Sequence, residues 1–217
     1  MFAISPNEEK MKASLRKRFF ASMLKKGDAF NHQLYGSYKK ELFKNIQGLV
    51  VEIGPGTGVN FDYFPSHINW IGIEPNEAFY EVLQQQAKQR EIQPQILKGE
   101  AMHIPLPDNS ADFFLSTLVL CSVHDPAKVI AEIKRVLKPG GKLIFIEHVA
   151  APKQTGLRLL QNIFNPLNRI IADGCNCNRE TWAFIQEAGF TELKISHRQM
   201  RGTFKFFSPH IMGYAIK

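Results

Sequence analysis

Short apolar strand patterns alternate with helical patterns from residue 49 to the C-terminus, which predicts an α/β fold with a doubly wound sheet. Two further observations sharpen this. A glycine-rich turn joins the first strand pattern to a helix, and a basic helical arm precedes the whole. The strand patterns are "LVVEIG", "WIGIEP", "QILKG", "ADFFLSTLVL", "KLIFIEHV" and "HIMGYAIK", all rich in β-branched and aromatic residues. Helical patterns fill the intervals at 76–90, 125–137 and 179–190, a spacing that suits βαβ units and a parallel sheet. Hydrophobic residues make up 44% of the 217 and charged ones 22%, an ordinary composition for a buried core.

The arm has a different character. In residues 11–26, Met11, Leu15, Phe19 and Met23 recur every fourth residue, with Phe20 and Leu24 beside them and Lys and Arg opposite. Gly27 and Asp28 are expected to interrupt this helix before a second segment runs to about Phe43. The chain divides on this basis into an arm or lid at 1–45 and a main domain at 46–217. The net charge is +7, and the first 48 residues hold ten Lys/Arg against four acids, so nearly all of it lies in the arm. Nucleic-acid binding is not expected, because such proteins spread basic residues over a face and interleave aromatics. A basic amphipathic helix suits packing on the body of the domain, a cover over a ligand to which Tyr35 and Tyr38 contribute, or peripheral contact with an anionic membrane through residues 11–26. No stretch has the ~18 apolar residues of a membrane span, and the start lacks a secretory signal, so a cytoplasmic location is expected. Cys121, Cys175 and Cys177 are too few for a disulfide framework. The "CNC" spacing is wrong for a zinc pair, so no metal is expected. Cys121 is taken as a small core residue of the fourth strand, Cys175 and Cys177 as inert.

The chemistry centres on "VVEIGPGTGVNF". Gly54, Gly56 and Gly58 stand between strand and helix, where a backbone free of side chains can approach a ligand. A dinucleotide turn would place its third glycine at 59, which is Val, and no Lys or Arg in the turn meets a phosphate. Glu74 ends the next strand pattern, 22 residues after Glu52, where a carboxylate accepts ribose hydroxyls. Glu100 follows the third, placed to accept from an adenine amine. Ribose and adenine partners without a phosphate partner point to an adenosine-type cofactor.

The segments "VVEIGPGTG", "IGIEPN", "GEAMHIPLPDNSAD" and "LKPGGKLIF" resemble, over about residues 45–217, the class I S-adenosylmethionine-dependent methyltransferases. The resemblance implies a Rossmann-like doubly wound sheet of seven strands, mostly parallel with an antiparallel last strand, plus the N-terminal helical extension. It implies S-adenosyl-L-methionine as cofactor, with Gly54, Gly56 and Gly58 at its methionine end and Glu74 on the ribose. Glu100, Ala101 and Met102 frame the adenine, while Thr117 and Leu118 run beneath. Glu52, Thr57, Asn60 and Pro75 complete the expected cofactor set. "TLVLCSVHDPAKVIAEIKRVLKPGG", "EHVAAP", "DGCNCNRETW" and "SPHIMGYAIK" are similar to a branch containing membrane-anchored methyltransferases of small alkyl thiols. This chain departs from that branch by reading Gly-Pro-Gly for Gly-Cys-Gly, and no apolar N-terminal anchor is expected from its first residues. The expected reaction is methyl transfer to a small-molecule acceptor, a thiol among the candidates. The alternative is a cofactor-binding regulatory or partner protein without transferase activity. Candidate bases are Asp173 and His148, with His124 similarly placed after a strand. Each histidine has an equally simple structural use, and so has Asp173 before Gly174. His210 and Met212 are expected to pack on the last strand.

Overall fold

In the computed structural model, residues 6–65 and 68–217 are described, except for the side chains of residues 6–17, 19 and 20. The arm is one helix, α1 (Pro6–Phe43), not two segments: it runs unbroken through Gly27 and Asp28. A glycine inside a helix costs about 1 kcal/mol relative to alanine. Tertiary contacts outweigh that here, since Tyr35, Lys39 and Phe43 are buried on the main body and Asp28 accepts a hydrogen bond from Thr57 Oγ1 at 2.7 Å. Of the expected apolar stripe, Met23 is described, while the side chains of Met11, Leu15 and Phe19 lie outside the described residues.

The main body is a single seven-stranded sheet. Its strands are β1 (Leu49–Ile53), β2 (Asn69–Ile73), β3 (Pro94–Leu97), β4 (Ala111–Thr117), β5 (Leu137–His148), β6 (Glu192–Gln199) and β7 (Pro209–Ile216). They lie in the order β3-β2-β1-β4-β5-β7-β6. The first five run parallel, and β7 pairs antiparallel with both β5 and β6. Strand order therefore reverses between β1 and β4, which is where such sheets open a ligand crevice beyond their carboxyl ends.

The helices are α2 (Tyr80–Gln89), α3 (Pro126–Val136), α4 (Gly156–Ile171) and α5 (Thr181–Glu187). Helix α3 shows how sequence dictates such an element. Asp125 caps it by accepting from Lys128 N at 3.1 Å, Pro126 opens its first turn, and Val129, Ile130, Ile133 and Val136 form its buried stripe. On one face of the sheet these side chains meet Val51, Ile53, Phe114 and Leu143. A second core joins Phe43, Phe61, Trp70, Leu83 and Ile144, and a third, smaller one packs Tyr35 of α1 against Ile146, Met200 and Met212. Helix α4 carries Pro166 inside it and presents Leu159, Ile163, Leu167 and Ile170 to solvent. Among the described residues no helix is long and apolar enough to cross a membrane.

Candidate active site

A cavity of about 680 Å³ opens at the carboxyl ends of β1, β2 and β4, at the reversal of strand order. That volume lies within the ~300–1,000 Å³ usual for small-molecule sites. It brings together Glu52, Gly54, Gly56, Thr57, Asn60, Glu74, Pro75, Glu100, Ala101, Met102, Thr117, Leu118 and Asp173, which the sequence scatters over more than a hundred positions. Gly58 and His148 are not among its walls.

The three glycines of the turn all have positive φ, yet each is small for a different reason. A Cβ at Gly54 would lie 2.7 Å from Val119, so this glycine lets the turn lie against the segment after β4. A Cβ at Gly58 would strike Phe61 at 2.7 Å and Leu83 at 3.2 Å, so Gly58 lets the turn pack on these side chains and lies outside the cavity walls. At Gly56 alone of the three would the added atom meet no crowding, only van der Waals contact with Leu24 of α1 at 3.9 Å and Gly54 O at 4.0 Å.

Two buried acids support this turn. Glu52 is tied to interior side chains: Asn60 donates to Oε1 at 2.7 Å and Trp70 Nε1 donates to Oε2 at 3.0 Å. Burial raises its pKa to about 6, against those hydrogen bonds and the positive charge of Lys39. Lys39 is itself fully buried in α1, and burial lowers its pKa to about 8. Glu52 thus orients Asn60, whose amide also reaches Thr117 Oγ1 at 3.1 Å, and so sets the cavity floor from behind. Glu74 accepts the N–H of Asn76 at 2.8 Å and that of Gly56 at 3.1 Å, one on each oxygen. Burial raises Glu74 to about 7 in spite of these bonds. A carboxylate oxygen has two lone-pair directions, so each retains acceptor capacity toward the cavity.

Helix α1 forms the opposite wall. Met23, Leu24, Asp28, Phe30, Asn31 and Tyr35 face the cavity, and the hydrogen bond from Thr57 to Asp28 ties helix to turn. Tyr38 packs instead beside Tyr35 in the small third core. The sequence offered a signal for this wall in the stripe that ends at Met23 and Leu24. Asp28 is hidden in the sequence by its neighbour Gly27, which together with it reads as a helix break.

The two candidate bases part company. Asp173, in a left-handed conformation at φ 44°, lines the cavity, as does the exposed His124. His148 ends β5 behind the wall, where its Nε2 lies 2.7 Å from Cys175 Sγ. Cys121 lies beyond the end of β4, in the following turn, and completes a buried group in which the ligand atoms of Cys121, His148 and Cys175 are within 4.8 Å of one another. Cys175 is therefore paired by the fold with Cys121 and His148, not with its sequence neighbour Cys177. His210 and Met212 are buried on β7, and His210 Nε2 meets the hydroxyl of Tyr35 at 2.8 Å. Burial depresses His210 to about 4.

The chain matches the methyltransferase domain family over residues 51–145. Among solved structures it is similar to an S-adenosylmethionine-dependent methyltransferase of Thermotoga maritima, described as a possible histamine N-methyltransferase. That likeness has a TM-score of 0.69 at 23% identity, covers 93% of this chain and 98% of that one, and bears on fold alone. Fold, cavity and domain match define an S-adenosylmethionine-dependent methyltransferase. Similarity extends further to thiol S-methyltransferase TMT1A of Homo sapiens, 36% identical over 213 residues, covering 93% of this chain and 87% of that protein. Thiol S-methyltransferase TMT1B of Rattus norvegicus is 37% identical over 213 residues, with the same coverage. The chain belongs to the methyltransferase family that these two proteins represent. Its residues suit the cofactor: a cradle that a Cβ at Gly56 would obstruct, a buried carboxylate with spare acceptor capacity, and apolar walls from Phe79, Met102 and Val129.

Proposed function

We propose that this enzyme methylates a small thiol, and that the walls of the cavity divide between cofactor and acceptor. Bound S-adenosyl-L-methionine supplies a methyl group on a sulfonium, already activated for displacement. Glu74, with Pro75 beside it, accepts the ribose hydroxyls. Glu100, Ala101 and Met102 frame the adenine. Gly54, Gly56, Thr57 and Asn60 shape the methionine end, and Thr117 and Leu118 lie beneath. Glu52 and Gly58 act at one remove, by holding Asn60 and by seating the turn. Helix α1 forms the cover over the main domain, with Met23, Leu24 and Phe30 excluding water from the reacting groups.

The observation that carries this proposal is the convergence of the Gly56 opening, Glu74 and an apolar helical wall on one cavity at the strand reversal. A thiol acceptor is supported by the names of the relatives at 36–39% identity. A thiol needs only one proton removed, and Asp173, on the cavity wall, is the group proposed to accept it. His148 is left out of this role because it lies outside the cavity and is engaged with Cys175.

The test is formation of S-adenosylhomocysteine by the full chain across a panel of alkyl and aryl thiols, amines, phenols and lipids. Turnover confined to thiols supports the proposal. Turnover of another class with none of the thiols overturns the acceptor. Cofactor binding without turnover on any class would instead make this a regulatory or partner protein on the same fold.

A further inference from the structure

Behind the cavity wall, three side chains from distant parts of the chain meet in the interior. Cys121 comes from the turn after β4, His148 from the last position of β5 and Cys175 from the loop after α4. They are 1%, 8% and 5% exposed, and one donor atom from each lies within 4.8 Å of the other two. Cys121 Sγ also lies 3.6 Å from Leu118 O and 3.6 Å from Ser122 Oγ. We propose that Cys121, His148 and Cys175 bind one zinc ion.

The donor set is the first reason. Two thiols and an imidazole are the soft and borderline ligands that select zinc, and the harder carboxylates are absent from this group of three. Spacing is the second. Zn–S bonds of about 2.3 Å and a Zn–N bond of about 2.0–2.1 Å in a tetrahedron separate the ligand atoms by roughly 3.5–3.8 Å. The observed group reaches that arrangement with side-chain adjustments of about 1 Å or less. The third reason is that the backbone holds the cysteines in place without help from their side chains. Asn176 donates to the carbonyl of Cys121 from both its N–H (2.9 Å) and its side-chain amide (3.1 Å), and Asn168 donates to the carbonyl of Cys175 at 2.7 Å. Such a frame presents both thiols to one point.

Cys177 supplies an internal contrast. Its sulfur turns away, toward Gln161 O at 3.7 Å and Asn165 Oδ1 at 3.5 Å. It is equally buried and two residues from Cys175, yet it is not a ligand in this arrangement. Zinc takes four ligands, so three from the protein leave one for an exogenous donor, as in catalytic rather than structural sites. The neighbours Leu118, Ser122 and Asp173 line the cavity, so the ion would fasten the ends of β4 and β5 and the loop bearing Asp173 into one wall. This inference is independent of which acceptor the enzyme uses.

The experiment uses the full chain, expressed with added zinc and purified under reducing conditions without chelator. Elemental analysis should find one zinc per chain in the parent and in Cys177→Ser, and none in the double variant Cys121→Ser/Cys175→Ser. A chelator should lower the melting temperature of the parent and of Cys177→Ser. Should the double variant fail to fold, cobalt added to the metal-stripped parent decides the matter through the thiolate-to-cobalt charge-transfer absorption and the visible bands of tetrahedral cobalt. The proposal is overturned by substoichiometric zinc together with no such cobalt spectrum. Retention of zinc by a folded double variant, copper in place of zinc, or a Cys121–Cys175 disulfide in the purified parent would overturn it equally.

Discussion

Replacing Glu74 by alanine perturbs one carboxylate that serves both the turn and the proposed ribose site. In the folded protein its two oxygens already take the N–H groups of Asn76 and Gly56. Two ribose hydroxyls would add two hydrogen bonds to a charged acceptor, each worth about 1.5–3 kcal/mol. Even at the lower figure their loss is about 3 kcal/mol, roughly a hundredfold in dissociation constant. Water entering the truncated site recovers part of this, so Glu74→Ala should weaken S-adenosylmethionine binding by at least about tenfold. Titration calorimetry at pH 8 measures this above the Glu74 pKa of about 7. Lowering the pH to 6 should leave roughly a tenth of Glu74 ionised and weaken wild-type binding up to about tenfold, while the variant stays flat. Stability moves the other way. A carboxyl raised from 4.5 to about 7 by burial stabilises the ligand-free fold below pH 4.5, and this contribution is lost as pH rises through 7. The loss is about 3 kcal/mol, and Glu74→Ala should remove that slope from denaturation curves taken between pH 5 and 8. Unchanged affinity together with an unchanged pH profile would refute the ribose assignment.

The glycines of the turn should separate function from packing. Gly56→Val should abolish cofactor binding while circular dichroism stays native. Gly58→Ala should lower the melting temperature through collision with Phe61 and Leu83, and binding lost at Gly58 with Gly56→Val still competent would reverse the assignment. Deleting residues 1–26 removes Met23 and Leu24 from the cavity wall and should weaken cofactor binding or turnover in plain buffer without lipid. Normal turnover combined with lost sedimentation on anionic vesicles would make residues 11–26 a membrane-surface element instead.

Most of the sheet was legible in the sequence, because buried parallel strands such as "VVEI" and "LIFIE" are apolar on both faces and bounded by turn residues. Three parts were not. "ELKISHRQ", which forms β6, sits at the sheet edge and is half polar. Helix α4 was obscured by Pro166 and by apolar residues that face solvent and not a core. The end of β4 is not visible in the sequence, because Leu118 turns the chain at φ 60° inside an apolar run that shows no break. Within the site, the spacing of Glu52, the glycines and Glu74 announced a cavity. It could not show that Glu52 faces inward to Asn60 and Trp70, nor that Gly58 packs against Phe61 and Leu83. Nor could local spacing bring Cys121, His148 and Cys175 together, since their meeting depends on how β4, β5 and the loop after α4 end in three dimensions.

The central claim is that a methyl group passes from S-adenosylmethionine to the sulfur of a small thiol inside this cavity. The most direct measurement supplies the full chain with cofactor carrying a trideuterated methyl group and a small alkyl thiol, then follows products by mass spectrometry. The account predicts a thioether bearing the intact labelled methyl, formed in step with S-adenosylhomocysteine and lost in Gly56→Val. Labelled cofactor that binds tightly yet yields no labelled thioether from any thiol offered would contradict it.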